Sequence, residues 1–429
     1  MKVHFVGVGG SGISAACGIA ASYGFEVSGC DRSKESEYLG SLTREFPKIP
    51  VFYSHSDSHL KGIDLLAVSP AVLKFDPSNS ELVEALRKKI PILTWQEFMG
   101  KFLQRGKFVI GVAGTHGKST VTAMIGHILE EAGLDPTVEV GAIDKLWKSN
   151  FKIGSSKFFV CEADEYNNNF LNYCPNFLVV TNVEMDHPDY FKDTTAILNS
   201  FQKLVSQLRS PRGLFLGRGE KSELLKRAVL EENKKVKIFD HDVIDRPRVK
   251  VLGKHNLSNA LLAASVAKAL GVDEKVIKKS ILNFRGVLRR LDYRGEIKGA
   301  KIFDDFAHHP TEVEASLSAL RDEFPARRLL VVFEPHTYSR TIEFLSEFGR
   351  VFQKYADEIV LVDIFPAREV NTNQITSKIL ADKIGKKAVY TGSLQRSIGY
   401  VNRRLRSNLI VVFMGAGKIY QAYGMLKGV

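Results

Sequence analysis

The sequence predicts an α/β protein of three domains, and three observations lead to that prediction. Short apolar runs typical of buried strands alternate with helical stretches along the chain, which indicates parallel sheets. Two glycine-containing loops each follow such an apolar run and precede a helical stretch. The chain has 429 residues, more than one hydrophobic core usually supports. We place the three predicted domains at residues 1–105, 106–286 and 287–429.

Each predicted domain shows the same alternation of strands and helices. In the first domain we predict strands at residues 3–8, 26–29, 65–68 and 92–94, and a helix at 80–89. In the second we predict strands at 108–113, 158–161 and 178–181, and helical stretches at 120–132, 194–208 and 256–270. In the third we predict strands at 300–304, 329–333, 358–362 and 409–414.

Composition and charge exclude several classes of protein. Hydrophobic residues make up 44% of the chain and charged residues 25%, as in ordinary globular domains. No apolar run approaches the ~20 residues that a membrane helix needs. Glycines interrupt the first residues too early for a signal peptide. We therefore expect a cytoplasmic protein, a monomer or homodimer, with no membrane partner.

The formal net charge is +12 at pH 7. Nucleic-acid binding and a basic surface that attracts small polyanions both explain such an excess. The basic residues form short dispersed clusters, such as Arg87, Lys88 and Lys89, without interleaved aromatic side chains. The second explanation is therefore preferred, and no nucleic-acid partner is predicted.

The cysteines indicate a reducing compartment. Cys17, Cys30, Cys161 and Cys174 include no CxxC pair, so we expect neither a zinc site nor a disulfide framework. Reduced thiols in a cytosol fit this pattern best.

The first glycine loop, at residues 7–12, lies between a predicted strand and a predicted helix. Glycines let the backbone approach a diphosphate, and the helix N-terminus offers free N–H donors. Asp31 follows the next strand, where a carboxylate can accept a ribose hydroxyl. The alternative is a tight turn without a ligand, which we rank second. The predicted binding residues are Gly9, Gly10, Ser11, Gly12 and Asp31.

The second loop, at residues 114–120, resembles a phosphate-binding P-loop. In such a loop backbone N–H groups surround the phosphates, the lysine neutralises them and the following serine reaches Mg²⁺. The strict motif requires glycine at position 112, where this chain has Val112, so the loop is a variant. Two nucleotide loops in one chain indicate ATP and a second nucleotide-bearing substrate. The predicted residues are Gly114, Thr115, His116, Gly117, Lys118, Ser119 and Thr120.

Acidic clusters follow two further strands of the second domain, at residues 162–165 and 184–186. Carboxylates at the carboxyl ends of neighbouring parallel strands can hold Mg²⁺ near the P-loop. His187 could bind a second metal ion or a phosphate. In the third domain, residues 304–310 carry His308 and His309. This pair could bind a metal, hydrogen-bond to a nucleotide or cap the next helix, and the spacing leaves these choices open.

Seven motifs give the sequence a resemblance to a known family. GTHGKST, EADE, TNVEMDH, GKHNLSNALLAA, GVLRRLD, DDFAHHPTE and PHTYSR occur in the order seen in the Mur ligases, and the match covers nearly the whole chain. The resemblance implies a Rossmann-like domain that binds a UDP-sugar and a central P-loop ATPase-type domain that binds ATP. A C-terminal Rossmann-like domain would bind the amino acid.

The resemblance also assigns roles, position by position. Lys118 matches the contact to the ATP phosphates, and the magnesium positions match Ser119, Glu162 and His187. Further nucleotide contacts match Asn256, Asn259, Arg290 and Asp305. His308 matches a position facing the active site. His336 and Arg340 match a region that holds the amino acid or the muramyl carboxylate. The implied catalytic residues are Lys118, His187, His308 and Arg340.

The implied reaction is the ATP- and Mg²⁺-dependent ligation of L-alanine to UDP-N-acetylmuramate through an acyl phosphate, an early step of peptidoglycan synthesis. A related ligase that attaches a recycled tripeptide is the alternative within the family. A nicotinamide-dependent oxidoreductase would explain only the first loop, and a nucleic-acid ATPase only the second. Some family members carry a carbamylated lysine where this chain has Phe201, so the resemblance assigns no carbamate here.

Overall fold

The computed structural model of the chain describes residues 1–34, 36–210, 213–232, 236, 238–239, 244–367, 369–372 and 374–428. These residues form two compact units. The first consists of Met1–Glu184, Thr194–Lys250 and Ser258–Val287, and the second of Met185–Asp193, Val251–Leu257 and Leu288–Val429. The first unit contains two sheets and the second contains one.

The first sheet is fully parallel, with strand order β3-β2-β1-β4-β5. The four residues of its central strand from Val3 to Val6 are buried, as expected for a parallel sheet covered by helices, and His4 is the polar residue among them. The strands are β1 (Lys2–Val6), β2 (Glu26–Cys30), β3 (Val51–Phe52), β4 (Leu65–Val68) and β5 (Ile92–Thr94). The helices are α1 (Ser11–Ser22), α2 (Glu37–Glu45), α3 (Pro70–Phe75), α4 (Ser80–Lys88) and α5 (Trp95–Phe98).

The second sheet has the order β12-β11-β10-β6-β9-β7-β8 and is parallel except for β8. Its strands are β6 (Phe108–Ala113), β7 (Thr137–Glu139), β8 (Phe151–Lys152), β9 (Phe158–Glu162), β10 (Phe177–Val180), β11 (Leu214–Leu216) and β12 (Ile238–Phe239). Its helices are α6 (Lys118–Glu131), α7 (Thr194–Ser206), α8 (Glu220–Glu232), α9 (Lys254–Ala269) and α10 (Glu274–Asn283). The first turn of α9 belongs to the second unit.

The third sheet has the order β13-β14-β18-β15-β16-β17, and only β13 is antiparallel to its neighbour. Its strands are β13 (Asp292–Ile297), β14 (Ala300–Asp305), β15 (Arg328–Phe333), β16 (Glu358–Val362), β17 (Ala388–Gly392) and β18 (Leu409–Met414). Its helices are α11 (Pro310–Glu323), α12 (Tyr338–Glu343), α13 (Leu345–Tyr355), α14 (Ser377–Ile384), α15 (Leu394–Asn402) and α16 (Ala422–Lys427).

Residues of β15 alternate between two hydrophobic cores, one on each face of the third sheet. Val331 and Phe333 belong to one core, and Leu330 and Val332 belong to the other. Successive side chains of a strand point to opposite faces, so a strand covered on both sides must be apolar throughout. This explains the continuous apolar run that the sequence shows at this position.

The α/β fold and its alternating elements are confirmed, with small shifts at the element ends. β1 ends at Val6 because Gly7 adopts a positive φ of 83°. The helix after the P-loop starts at Lys118, two residues before the predicted start, because Gly117 caps it with φ 84°. The domain boundaries after residues 105 and 286 stay predictions. Among the described helices, none combines the length and apolar character that spanning a bilayer requires.

Gly154 lies where two backbone segments of the second sheet approach each other closely. A substitution at this position therefore tests their packing. A Cβ at this position would lie 2.2 Å from the Asp135 carbonyl oxygen, and the Gly154 amide is held by Thr137 Oγ1 at 3.2 Å. We expect Gly154→Ala to lower the free energy of unfolding of the first unit by about 1–3 kcal/mol, the usual cost of overpacking. The measurement is urea unfolding followed by fluorescence, since both tryptophans, Trp95 and Trp147, lie in this unit.

Gly40→Ala is the matched control. Gly40 lies within α2, and a Cβ there would meet no atom within 4 Å. Alanine should leave stability unchanged or raise it by about 0.4–1 kcal/mol, because it restricts the unfolded chain. Equal destabilisation by both substitutions would contradict the assigned packing at Gly154.

Candidate active-site residues in the two units

The first glycine loop is held against the end of β2. The amides of Gly7 and Val8 donate to the Cys30 carbonyl at 2.9 and 3.0 Å. The Gly9 amide donates to Asp31 Oδ2 at 2.8 Å. The structure therefore brings Asp31 to the loop, as the sequence predicts, and shows that its carboxylate already binds a loop amide.

The other predicted residues of this loop lie at the start of α1. Gly10 is the N-cap of α1 and provides no side-chain cap, so the first-turn amides are not covered by a local side chain. Ser11 contributes its carbonyl to Asn150 Nδ2 at 2.6 Å. A Cβ on Gly12 would lie 2.3 Å from the Trp95 ring. The glycine at position 12 is thus required by helix packing, and the uncapped first turn of α1 is the part of this region suited to receive an anion.

The second loop connects β6 to α6 in the middle of the second sheet. Gly114 has φ 126°, and a Cβ there would lie 2.1 Å from Thr181 Oγ1. The next two amides are held by one residue: Thr115 N donates to the Asn182 carbonyl at 3.2 Å, and His116 N donates to Asn182 Oδ1 at 2.9 Å. Val112 is a buried residue of β6, so the loop begins at Gly114 and needs no glycine at position 112.

The N-terminus of α6 is suited to bind phosphate. Gly117 caps the helix without a side chain, which leaves the N–H groups of its first turn facing outward. A Cβ on Gly117 would lie 2.8 Å from Asn259 Oδ1, so Asn259 of α9 borders the loop. Ser119 and Thr120 are buried in the first turn. These residues have the arrangement that the sequence predicts for a phosphate cradle.

Lys118 is held beside the loop by a buried carboxylate. Its Nζ donates to the Gly114 carbonyl at 2.6 Å and to Glu165 Oε2 at 2.8 Å. Burial opposes the charged form, but neighbouring carboxylates, Glu165 foremost, overcome it and raise the pKa of Lys118. The lysine therefore remains a cation at neutral pH and can neutralise phosphate oxygens at the loop.

Two carboxylates, the buried one of Glu139 and the partly buried one of Glu162, lie at the ends of the adjacent strands β7 and β9. The Glu162 amide donates to Glu139 Oε2 at 3.0 Å. Burial and the nearby Glu162 raise the pKa of Glu139 well above its ordinary value. Oxygen ligands from paired carboxylates suit a hard divalent cation, which would relieve their repulsion. The donor set therefore fits Mg²⁺, and Ser119 lies in the first turn of α6, after the neighbouring strand β6.

In the second unit, Asp186 and Arg340 form a buried ion pair. The Nε and Nη2 atoms of Arg340 donate to Asp186 Oδ1 at 3.0 and 2.6 Å, and both side chains are less than a tenth exposed. Burial alone would raise the pKa of Asp186, but the guanidinium holds it well below its ordinary range. The pair fixes the segment that also carries His187, whose φ is 53°.

Two predicted histidines surround Arg340. Nη1 of Arg340 donates to His336 Nδ1 at 3.1 Å, and the rings of His336 and His308 lie 5.3 Å apart. Burial lowers the pKa of His308 to about 3, and burial together with His308 lowers the pKa of His336 to about 2. Both imidazoles are therefore neutral at pH 7, and Arg340 is the cation of this cluster.

The remaining predicted residues of the second unit lie near the start of α11. Arg290 Nη1 donates to Glu312 Oε1 at 3.2 Å. Burial raises the pKa of Asp305 to about 6, and this carboxylate accepts a hydrogen bond from the Ala307 amide at 3.1 Å. His309 caps α11 and hydrogen-bonds through Nε2 to the Met185 carbonyl at 3.1 Å. Of the open choices for the histidine pair, the helix cap describes His309.

Two of the predicted sets, the nucleotide contacts and the magnesium ligands, are divided between the two units. Asn256 belongs to the first turn of α9, in the second unit, and its Nδ2 donates to the Leu252 carbonyl at 2.6 Å. Ser119 and Glu162 belong to the first unit, whereas His187 belongs to the second. The three-residue magnesium set therefore stays a prediction. Phe201 is buried against Phe170, with ring centroids 5.3 Å apart.

The structure also shows side-chain pairings at the candidate sites that the sequence analysis did not predict. Glu165 pairs with Lys118, Asn182 holds the second loop, and Asp186 pairs with Arg340. All three lie within the motifs EADE and NVEMDH, so the sequence places them near the site. Their partners are 47 to 154 residues away in the chain, and no local pattern encodes that pairing.

We expect Asp186→Asn to destabilise the second unit by about 3–5 kcal/mol at pH 7, because the Arg340 guanidinium would stay buried without its counter-ion. Hydrogen-exchange free energies of amides in β15 and β18 measure this change. The folded pKa of Asp186 lies below its unfolded value, near 3.9. The wild-type advantage should therefore be complete above about pH 5 and decrease as the pH falls below about 4.

Asp382→Asn is the control, because Asp382 is an exposed carboxylate on α14 of the same unit. This substitution should change the exchange free energies by less than about 0.5 kcal/mol. An Asp186→Asn variant as stable as this control would contradict the ion pair.

Comparison with known proteins identifies the family. Models of the Mur ligase family match consecutive parts of the chain: the catalytic domain over residues 2–107, the middle domain over 112–243 and the glutamate ligase domain over 289–417. The UDP-N-acetylmuramate–L-alanine ligase of Agathobacter rectalis is 35% identical over 98% of this chain and 96% of its own length. The same ligase of Desulfitobacterium hafniense is 34% identical, over 98% of each chain.

A solved structure gives the same result. The crystal structure of the UDP-N-acetylmuramate-alanine ligase of Thermotoga maritima superposes with a TM-score of 0.82, at 25% identity, and covers 100% of this chain and 98% of that one. The three-domain α/β architecture predicted from the sequence is therefore confirmed. From its motifs, its fold and these relatives, the chain belongs to the Mur ligase family.

Proposed function

We propose that this chain joins L-alanine to UDP-N-acetylmuramate with the hydrolysis of ATP. The main support for this proposal is the full-length similarity, at 34–35% identity, to UDP-N-acetylmuramate–L-alanine ligases. The two nucleotide loops support it, because the reaction needs ATP and a second substrate that carries a nucleotide. The family alternative, attachment of a recycled tripeptide, is not favoured, since these full-length relatives are alanine ligases.

The first step of the proposed reaction is activation of the muramyl carboxylate. A carboxylate does not react with an amine at neutral pH because its oxygen is a poor leaving group. Transfer of the γ-phosphate of ATP to that oxygen gives an acyl phosphate, and attack by the alanine amine then releases inorganic phosphate. The enzyme contributes mainly positioning and charge stabilisation to such a transfer.

The second loop supplies these contributions in the first unit. The uncapped amides at the start of α6 would bind the phosphates, and Lys118 would neutralise charge that develops during transfer. The carboxylates of Glu139 and Glu162, with the Ser119 hydroxyl, would hold Mg²⁺. The metal ion would supply Lewis-acid polarisation of the phosphate oxygens. Glu165 keeps the Lys118 ammonium beside the loop before a nucleotide arrives.

The first glycine loop supports binding of the UDP-sugar. The uncapped first turn of α1 offers N–H donors for a diphosphate, and Asp31 is fixed at the loop by the Gly9 amide. The Asp31 carboxylate keeps further lone pairs that can accept a ribose hydroxyl. Removing this side chain would disturb both the loop and that contact.

In the second unit, Arg340 is the candidate group for the carboxylate of alanine or of the muramyl group. Asp186 fixes one edge of the guanidinium and His336 lies at its Nη1. A guanidinium held in this way loses little side-chain entropy when it binds a carboxylate. The neutral His308 and His336 line the same cluster and carry no charge that would repel an incoming ammonium group.

The test of the proposed function is phosphate release from ATP and Mg²⁺ with UDP-N-acetylmuramate. The amine acceptors are L-alanine, glycine, L-serine and the L-alanyl-γ-D-glutamyl-meso-diaminopimelate tripeptide. We expect release that requires both the sugar nucleotide and L-alanine. Release with the tripeptide alone would establish the recycling reaction instead, and the absence of release with every acceptor would overturn the proposal.

Lys118→Ala should lower the rate of phosphate release by at least about 100-fold, because the transferred group loses its cation. Lys203→Ala is the control, since Lys203 is exposed on α7, and its rate should equal that of the wild type. Removing Lys118 leaves the Glu165 carboxylate buried without a partner. The double variant Lys118→Ala/Glu165→Gln removes that charge and keeps the test valid if the single variant unfolds. A folded variant with wild-type turnover would exclude the P-loop role.

A further inference from the structure

A second group of side chains that can bind a metal lies in the domain of the first sheet. It does not include residues of either glycine loop. It consists of His4 on β1, Cys30 at the end of β2, His59 in the short 3₁₀ turn Asp57–Leu60 and Glu81 in the first turn of α4. His4, Cys30 and Glu81 are fully buried, and the His59 side chain is 8% exposed. Each offers one ligand atom, and these atoms all lie within 4.8 Å of one another.

Three of the six separations among these atoms are close to the edges of a coordination tetrahedron, and the other three are below 4.8 Å. His4 Nε2 lies 3.4 Å from Cys30 Sγ, Cys30 Sγ lies 3.2 Å from Glu81 Oε1, and His59 Nδ1 lies 3.1 Å from the same oxygen. Zinc bonds of about 2.0–2.3 Å at tetrahedral angles place ligand atoms about 3.4–3.6 Å apart. The measured separations fall within a few tenths of an ångström of these edges.

Hydrogen bonding alone does not account for this convergence. Glu81 Oε1 lies within 3.3 Å of four possible donors: Ser56 N at 3.0 Å, His59 Nδ1 at 3.1 Å, Cys30 Sγ at 3.2 Å and His55 Nδ1 at 3.3 Å. One carboxylate oxygen has about two lone-pair sites. Four donors therefore exceed its capacity, whereas a cation at the centre would bind the imidazole, thiolate and carboxylate atoms together.

The surroundings of the group resemble the outer shell of a metal site. The second ring nitrogen of His4, Nδ1, is hydrogen-bonded to Ser28 Oγ at 2.8 Å, which fixes the ring with Nε2 toward the cluster. Glu81 Oε2 accepts from Ser80 Oγ at 3.1 Å. The His59 ring stacks on Phe52, with centroids 4.1 Å apart. Such contacts orient metal ligands.

We propose that His4, Cys30, His59 and Glu81 bind a structural Zn²⁺ ion. One thiolate and one carboxylate balance the charge of the ion in a buried site, and the nitrogen and sulfur donors favour zinc over magnesium. From the sequence we expect no zinc site, because the chain has no CxxC pair. That pattern detects only ligands that are close in sequence, whereas here the ligands come from two strands, a turn and a helix.

The ion would connect the first sheet to the first glycine loop. Cys30 immediately precedes Asp31, whose carboxylate binds the Gly9 amide, and the Cys30 carbonyl accepts the Gly7 and Val8 amides. Fixing Cys30 to β1 and α4 would therefore fix the position of this loop. The site itself does not depend on the proposed ligase reaction.

The test uses the full chain without a histidine tag. After purification from zinc-supplemented medium and dialysis against micromolar buffered zinc, elemental analysis should give about one zinc ion per chain, as for other closed zinc sites. The chelator-treated chain titrated with Co²⁺ should show a thiolate-to-cobalt charge-transfer band. Zinc should raise the midpoint of the thermal transition followed by Trp95 and Trp147 fluorescence.

Cysteine variants distinguish this site from adventitious binding. Cys30→Ser should abolish the cobalt–thiolate band and the thermal shift, and Glu81→Gln should weaken both. Cys17→Ser, which alters another buried thiol, and Cys174→Ser, which removes the exposed one, should retain both. If Cys30→Ser fails to fold, the band in the wild type and in Cys174→Ser still decides the matter. A wild-type chain without bound zinc and without the band would overturn the proposal, as would a band lost in Cys174→Ser.

Discussion

The parallel pairing of β6 with β9 and β10 is the constraint on which the candidate nucleotide site depends. This pairing sets the carboxyl ends of the three strands side by side, with Val112 opposite Glu162 and Ala113 opposite Val180. Every residue that follows these ends is delivered to one edge of the sheet. The glycine loop at this edge leads into the N-terminus of α6 and lies beside the carboxylates that follow the neighbouring strands.

Buried charge in both units is organised in pairs. Lys118 has Glu165, and Arg340 has Asp186. Removing an ion from water costs several kcal/mol, which only a close partner offsets. A pair of this kind adds little net stability, but it fixes the position of each charged group. In both units the family resemblance assigns the paired cation to substrate phosphates or carboxylates. The buried partner that offsets the cost of desolvation therefore also holds this cation in place before the substrate binds.

The first sheet shows how a buried region can include polar groups. His4 lies in the middle of β1, Cys30 ends β2 and Glu81 lies in the first turn of α4, and their side chains satisfy one another or a bound cation. Next to them, Val6, Leu66 and Leu82 form an ordinary hydrophobic cluster that includes the Cys30 side chain. The polar group therefore lies between the core of the sheet and the strand end that carries Asp31.

The sequence by itself determined the α/β class, most strands and helices, and the two glycine loops. These features are local: a buried parallel strand is a continuous apolar run, and a phosphate loop needs glycine within a few residues of a helix start. Motif order also determined the family, because the functional residues of each motif are close in the chain. For the same reason Lys118, Asp31 and Arg340 could be predicted as candidate site residues from the sequence alone.

Only the tertiary structure decided which side chains meet across long stretches of chain. The pairing of Asp186 with Arg340, and of Lys118 with Glu165, depends on strand order and helix placement rather than on local pattern. The same holds for the cluster of His4, Cys30, His59 and Glu81. Its members come from separate elements, and no periodicity links them. Such contacts follow from packing, because a residue's burial and partner are properties of the whole fold and not of its neighbours in sequence.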